Sequence, residues 1–94
     1  MARYRIVRWK EIPALVEAWD AGGAARVPLS QRFQDLIDAI AMREGVSESD
    51  AYLEAWGGDP EAERAGEAQP VAAAVAAELE ATFGQYVDRY LGNR

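Results

Sequence analysis

From Arg3 to Trp9 the chain reads RYRIVRW, and polar and apolar residues alternate. Tyr4 and Ile6 point one way; Arg5, Val7 and Trp9 point the other. A period of two with β-branched and aromatic residues predicts a β-strand. KEIP interrupts the alternation, and Pro13, lacking a backbone N–H, suits a strand start or an edge. Alternation resumes from Ala14 to Asp20: Ala14, Val16 and Ala18 form one row, and Leu15, Glu17 and Trp19 the other. Two such runs joined by about four residues predict a β-hairpin. Gly22 and Gly23 mark the next turn, and ARVPL at 25–29 predicts a short third strand that, given Pro28, is an edge or ends early.

The period then changes. Phe33, Leu36, Ile37, Ile40 and Ala41 recur with spacings of three and four, one stripe of an amphipathic helix. Ser30 supplies a helix-start residue and Gly45 a helix stop, so the helix is predicted from Ser30 to about Glu44. Residues 51–56 (AYLEAW) are compatible with two readings. Ser47 and Asp50 approximate a capping box and Gly57 would end a helix. Tyr52, Glu54 and Trp56, however, alternate with Leu53 and Ala55, and the strand reading is preferred because it enlarges the sheet. Residues 57–69 (GGDPEAERAGEAQ) carry no large apolar side chain and read as an acidic Gly/Pro loop. Pro70 fits the first turn of a last helix, in which Val71, Val75, Leu79 and Phe83 recur every four residues. Tyr86, Val87, Tyr90 and Leu91 continue that stripe, so one long helix is predicted, with Gly84 as its weak point.

The expected order is therefore β-β-β-α-β-α. This is an α+β two-layer sandwich, with a small, mostly antiparallel sheet carrying two helices on one face. With 94 residues, one small domain spanning 1–94 is expected, with the 57–69 loop inside it. No apolar run of about 7–15 residues opens the chain and none approaches ~18, so neither a signal peptide nor a membrane span is expected, and the location is read as cytoplasmic.

Composition narrows the chemistry. The chain contains no cysteine and no histidine. Thiolate nucleophiles, Cys- or His-based metal sites and the commonest general base are therefore excluded. No glycine-rich nucleotide motif is present and no carboxylate pair is marked as buried, so the reading assigns no catalytic residue, no metal and no cofactor. The net charge of −6 is unevenly distributed. Through Gln34, six basic residues face three acidic ones, giving +3. Beyond it, four face thirteen, giving −9. Such an imbalance is read either as opposite charges that meet inside one fold or as a basic face for an anionic ligand or an acidic protein.

The remaining signal is the sheet face away from the helices. Arg5, Val7 and Trp9 on the first strand, Lys10 at the bend, and Leu15 and Trp19 on the second strand have the composition of a protein-interaction surface. The competing reading is plain cross-strand pairing, with Arg5 against Glu17 and each tryptophan shielding its own hairpin. Arg5, Arg8 and Arg26 form a candidate anionic-ligand set. The acidic remainder argues against nucleic acid. The function expected is a non-catalytic interaction or accessory module, whose partner is another protein or a second copy. The alternative is a small enzyme subunit or anionic-ligand carrier.

YRIVRWKEIPALVEAWD followed by LSQRFQDLIDAIAMREGVSESDAYLEAW resembles the small bacterial domain family labelled "virulence factor", like the domain of conserved virulence factor C proteins. The W-x-E-I-P hairpin, the RFQ…IDAIAMR helix and DAYLEAW carry the likeness from Tyr4 to Trp56, and it continues loosely into the Ala-rich helix. The resemblance implies a bacterial cytoplasmic accessory domain, found alone or attached to larger proteins. It transfers no catalytic residue and no mechanism.

Overall fold

The three predicted N-terminal strands form, and a five-stranded antiparallel sheet grows from them. In the computed structural model, which describes residues 1–92, β1 (Ala2–Trp9), β2 (Ile12–Asp20) and β3 (Gly23–Pro28) make a meander. Helix α1 (Gln31–Arg43) and the short helix α2 (Asp50–Glu54) follow. Then come β4 (Trp56–Gly58), β5 (Ala62–Arg64), α3 (Ala68–Glu80) and α4 (Phe83–Leu91). The strand order is β3-β2-β1-β4, and β5 also pairs with β1. The fold is thus α+β, with a small antiparallel sheet and helices, as the patterning predicts.

The layout of elements differs from the sequence expectation in three places. Residues 50–54 are helical, and the strand begins only at Trp56. The 57–69 segment is no mere loop, because its residues finish β4 and supply all of β5. These two three-residue strands share one edge of β1: β5 takes Ala2 to Tyr4, and β4 takes Val7 to Trp9. Between them the Asp59 N–H donates to Ile6 O at 2.9 Å, so the edge is nearly closed. Finally, the last helix is two helices, so four helices replace the two expected. The break falls at Ala81–Thr82, ahead of Gly84. There the Thr82 hydroxyl donates to Leu79 O at 2.7 Å and competes with the helical ladder. Arg32 Nη2 donates to Glu80 O at 2.8 Å, satisfying a carbonyl that a continuing helix would have used. The break lets α4 fold back so that Phe83 meets Phe33 edge-on, with centroids 4.9 Å apart.

Helix α1 follows its pattern: Phe33, Leu36, Ile37, Ile40 and Ala41 are its buried residues. Its C-terminus closes as a Schellman motif, with Gly45 at φ 73° and the N–H groups of Gly45 and Val46 donating to Met42 O and Ala41 O. Its N-terminus departs from expectation. Ser30 occupies the cap position but makes no side-chain cap; its hydroxyl and its N–H both donate to the Glu80 carboxylate, at 2.8 and 2.6 Å. Asp20 ties the other end of α3 in the same way, accepting from Gly22 N–H and Ala68 N–H at 2.7 Å each. Hydrogen bonds from those two N–H groups hold the Asp20 carboxyl below its ordinary pKa. Burial works against the charge on Glu80, yet its bonds from Ser30 and Arg32 still leave its pKa lowered.

The core lies between the sheet and α1 and α3. It contains Ala2, Ile12, Val16 and Ala18 from the strands and Val71, Ala72, Val75 and Ala76 from α3, where small residues let the helix sit close to β2 and β3. Nothing polar is buried among the described residues.

Candidate functional site

Strand register decides which side chains share the uncovered face. Arg3, Arg5 and Val7 of β1 lie opposite Trp19, Glu17 and Leu15 of β2. Those three in turn lie opposite Ala24, Arg26 and Pro28 of β3. Neighbours directly opposite across an antiparallel ladder point to the same side. Val7, Leu15 and Trp19 are each half-buried, yet none belongs to the hydrophobic core or packs on it. They lie on the side away from α3, with Val7 and Leu15 opposite each other and Trp19 two residues beyond Glu17 on β2. Between Leu15 and Trp19 runs a charged row: Arg5 Nη2 meets Glu17 Oε1 at 2.8 Å, and Arg26 Nε meets Glu17 Oε2 at 3.4 Å. The cross-strand pairing expected for Arg5 and Glu17 is present.

Next to this row is a shallow groove of about 300 Å³ lined by Arg5, Val7, Trp56, Gly57 and Gly58. Its floor is glycine backbone. A Cβ on Gly58 would fall 2.8 Å from Arg5 Cδ, so the arginine stem crosses the strand where a side chain is missing. Trp56 and the two glycines were outside the expected site; the adjacent pair in WGGD was the available signal for a close approach.

Trp9 and Lys10 do not belong to this face. Trp9 is 0% exposed and belongs to the core. Its indole N–H donates to Tyr52 O at 2.9 Å, and its ring lies 5.6 Å from the Tyr52 ring. At this end of the hairpin burial stops alternating. The register shifts between Val7 and Arg8, leaving Ala14 as the extra residue of a bulge, and Ile12 and Pro13 are also sealed. The cover is the segment around α2, whose Ala55 carbonyl accepts from Lys10 N–H. The Lys10 side chain pairs with Glu44. An open, docking Trp9 is therefore corrected by the helix that replaced the expected strand.

The set Arg5, Arg8 and Arg26 is not brought together as a ligand site either. Arg5 and Arg26 share Glu17, whereas Arg8 extends to the other side of β1. Its Nε donates to both oxygens of Asp59, at 2.9 and 3.1 Å, and its Nη1 to Glu11 O at 2.9 Å and to the Tyr86 hydroxyl at 3.2 Å. Partial burial opposes the charge, but the bonds to Asp59 and Tyr86 outweigh it and raise the Arg8 pKa above the usual arginine value. Arg8, Lys10, Glu11, Asp59, Tyr86 and Arg89 line a second cleft of about 410 Å³ between the hairpin turn and α4.

Most cations of the basic half meet carboxylates of the acidic half. Arg3 pairs with Glu61 and Glu63, Arg8 with Asp59, Lys10 with Glu44 and Arg32 with Glu80, each joining the basic half to the acidic one. No helix among the described residues is long and apolar enough to cross a membrane.

Neither curated proteins nor solved structures provide a significant match to the chain. The sequence profile of one family, described as "Virulence factor", matches residues 7–87. That span runs from the outward-facing Val7 through the hairpin, the bulge and both small strands to Val87 of α4, and takes in the lining of both clefts except Arg5 and Arg89: the chain belongs to the virulence factor family.

Proposed function

We propose that this chain is a non-catalytic interaction module of the bacterial cytoplasm, an accessory subunit that docks a protein partner on the uncovered face of its sheet. The observation that carries the reading is the set Val7, Leu15 and Trp19 on one sheet face: three large apolar side chains, half-buried, that no helix covers and that do not pack on the core. Apolar anchors beside satisfied charges are what interfaces use. The anchors supply desolvation energy, and the Arg5–Glu17–Arg26 row sets register without leaving a lone charge under the partner. The glycine-floored groove beside Trp56 offers a slot for one side chain of that partner. The absence of cysteine and histidine supports a binding role over a catalytic one.

The test uses Leu15→Lys and Trp19→Ala as paired baits against the natural chain. Circular dichroism confirms folding, light scattering reads self-association, and affinity capture with mass spectrometry reads other partners. The expected result is a folded variant that loses one defined partner, or loses dimerisation if the partner is a second copy. If both variants keep every association of the natural chain, the face is not the docking surface. If both unfold, the set is structural.

A further inference from the structure

The cleft between the hairpin turn and α4 has no part in that docking reading, and its chemistry is different. Three elements far apart in sequence converge there: Arg8, Lys10 and Glu11 at the turn, Asp59 after β4, and Tyr86 and Arg89 on α4. Three cations against two carboxylates give the lining a charge of +1 in a chain of −6. We propose that this cleft binds a small tetrahedral oxyanion, a phosphate-type head group.

Beside the Glu11 and Asp59 carboxylates, the cleft offers several donors that are free or weakly held. Arg8 spends Nε on Asp59 and Nη1 on Glu11 O and Tyr86, leaving both protons of Nη2 without an acceptor among the described residues. The Tyr86 hydroxyl accepts from Arg8 and has its own proton to give. Lys10 and Arg89 each use one donor group on an exposed glutamate, Glu44 and Glu11. Arg89 and Glu11 are 59% and 60% exposed, so their pair is weak and an arriving anion can displace the carboxylate. Donors that approach from a turn, a strand and a helix suit an acceptor with oxygens in several directions. A planar carboxylate would be matched by a single arginine fork.

The backbone supplies an independent observation. Among the described residues, Lys10 is the one non-glycine with positive φ, at 53°. It occupies the first position of a two-residue hairpin turn between Trp9 and Ile12, where glycine is the usual occupant. A lysine held in that conformation is the kind of strained residue that gathers at ligand sites.

The experiment is an amide NMR titration with inorganic phosphate at constant ionic strength, with acetate as the second arm. Expected are saturating shifts centred on Lys10, Glu11, Asp59 and Tyr86 with phosphate and none that saturate with acetate. Arg89→Gln and Lys10→Gly, the latter keeping a turn that tolerates positive φ, each weaken phosphate binding by about tenfold or more. Non-saturating, scattered shifts in the natural chain overturn the proposal. So does acetate binding as tight as phosphate, or full affinity in either variant. Trp19→Ala leaves the titration unchanged, so failure here and failure of the docking face are separable results.

Discussion

The two ends of the β1–β2 hairpin each carry a tryptophan in an alternating run, yet the environments differ. Trp19, near the open end, lies across from Arg3 and stays half-buried outside the core. Trp9, beside the turn, is sealed, with its indole N–H satisfied by Tyr52 O. Alternation along a strand tells which residues share a side. It does not tell what lies against that side, and the cover over Trp9 comes from residues more than forty positions away.

The largest expected effect tests that contrast directly. Trp9→Ala removes a fully buried indole and is expected to cost about 3–5 kcal/mol, enough to unfold a small domain in part or entirely. Trp19→Ala should cost about 1–2 kcal/mol, well below the Trp9 loss. Urea midpoints measured side by side check the pair, and equal losses would break the distinction between the two ends.

A smaller effect of opposite sign is expected at the turn. Lys10→Gly relieves about 1–2 kcal/mol of left-handed strain. Glycine's extra freedom in the unfolded chain takes back up to about 1 kcal/mol of that. A net gain of about 0.5 kcal/mol in thermal or urea unfolding is expected, and a clear loss would mean that the Glu44 pair outweighs the strain.

Acid sharpens the comparison between the tethered and the free parts of the sheet. The Asp20 and Glu80 carboxyls have folded pKa values below their unfolded ones. Their stabilisation is therefore fully present above the unfolded value, near pH 4, and is lost as pH falls through the folded one. Asp20→Asn should lower the melting temperature at neutral pH and flatten its decline below about pH 4. An unchanged acid slope would show that the tether from the β2–β3 turn to α3 contributes nothing. The smallest effect belongs to the open face: Leu15→Lys should alter stability by no more than about 0.5 kcal/mol. A larger loss would place Leu15 in the core and remove the basis for docking.

Much of the fold was legible in local pattern. The hairpin, the third strand and α1 with its Gly45 stop follow from period and cap residues that lie within one turn or one strand of each other. Residues 50–54 were misread because Tyr52 to Trp56 fit both periods, and five residues are too few to separate them. β5 was invisible because AER has no strand pattern of its own; its pairing is supplied by Ala2 to Tyr4. Propensity predicts one long helix with its weak point at Gly84, whereas Thr82 and the capping Arg32 break it two residues earlier.

The candidate site divides in the same way. Arg5, Val7, Leu15 and Trp19 were readable as one face because the register of a hairpin is local. Trp9 and Lys10 were wrongly assigned to it, and Asp59, Tyr86 and Arg89 were missed, because their environments depend on contacts between distant segments.

By itself, the sequence determined the absence of thiol and imidazole chemistry, the hairpin alternation and the α1 stripe, since composition and near-neighbour geometry suffice for these. The tertiary structure alone decided which tryptophan is covered, where the last helix breaks and which arginines meet. Those outcomes are set by burial and hydrogen-bond satisfaction between segments that are distant in the chain and meet only in the folded protein.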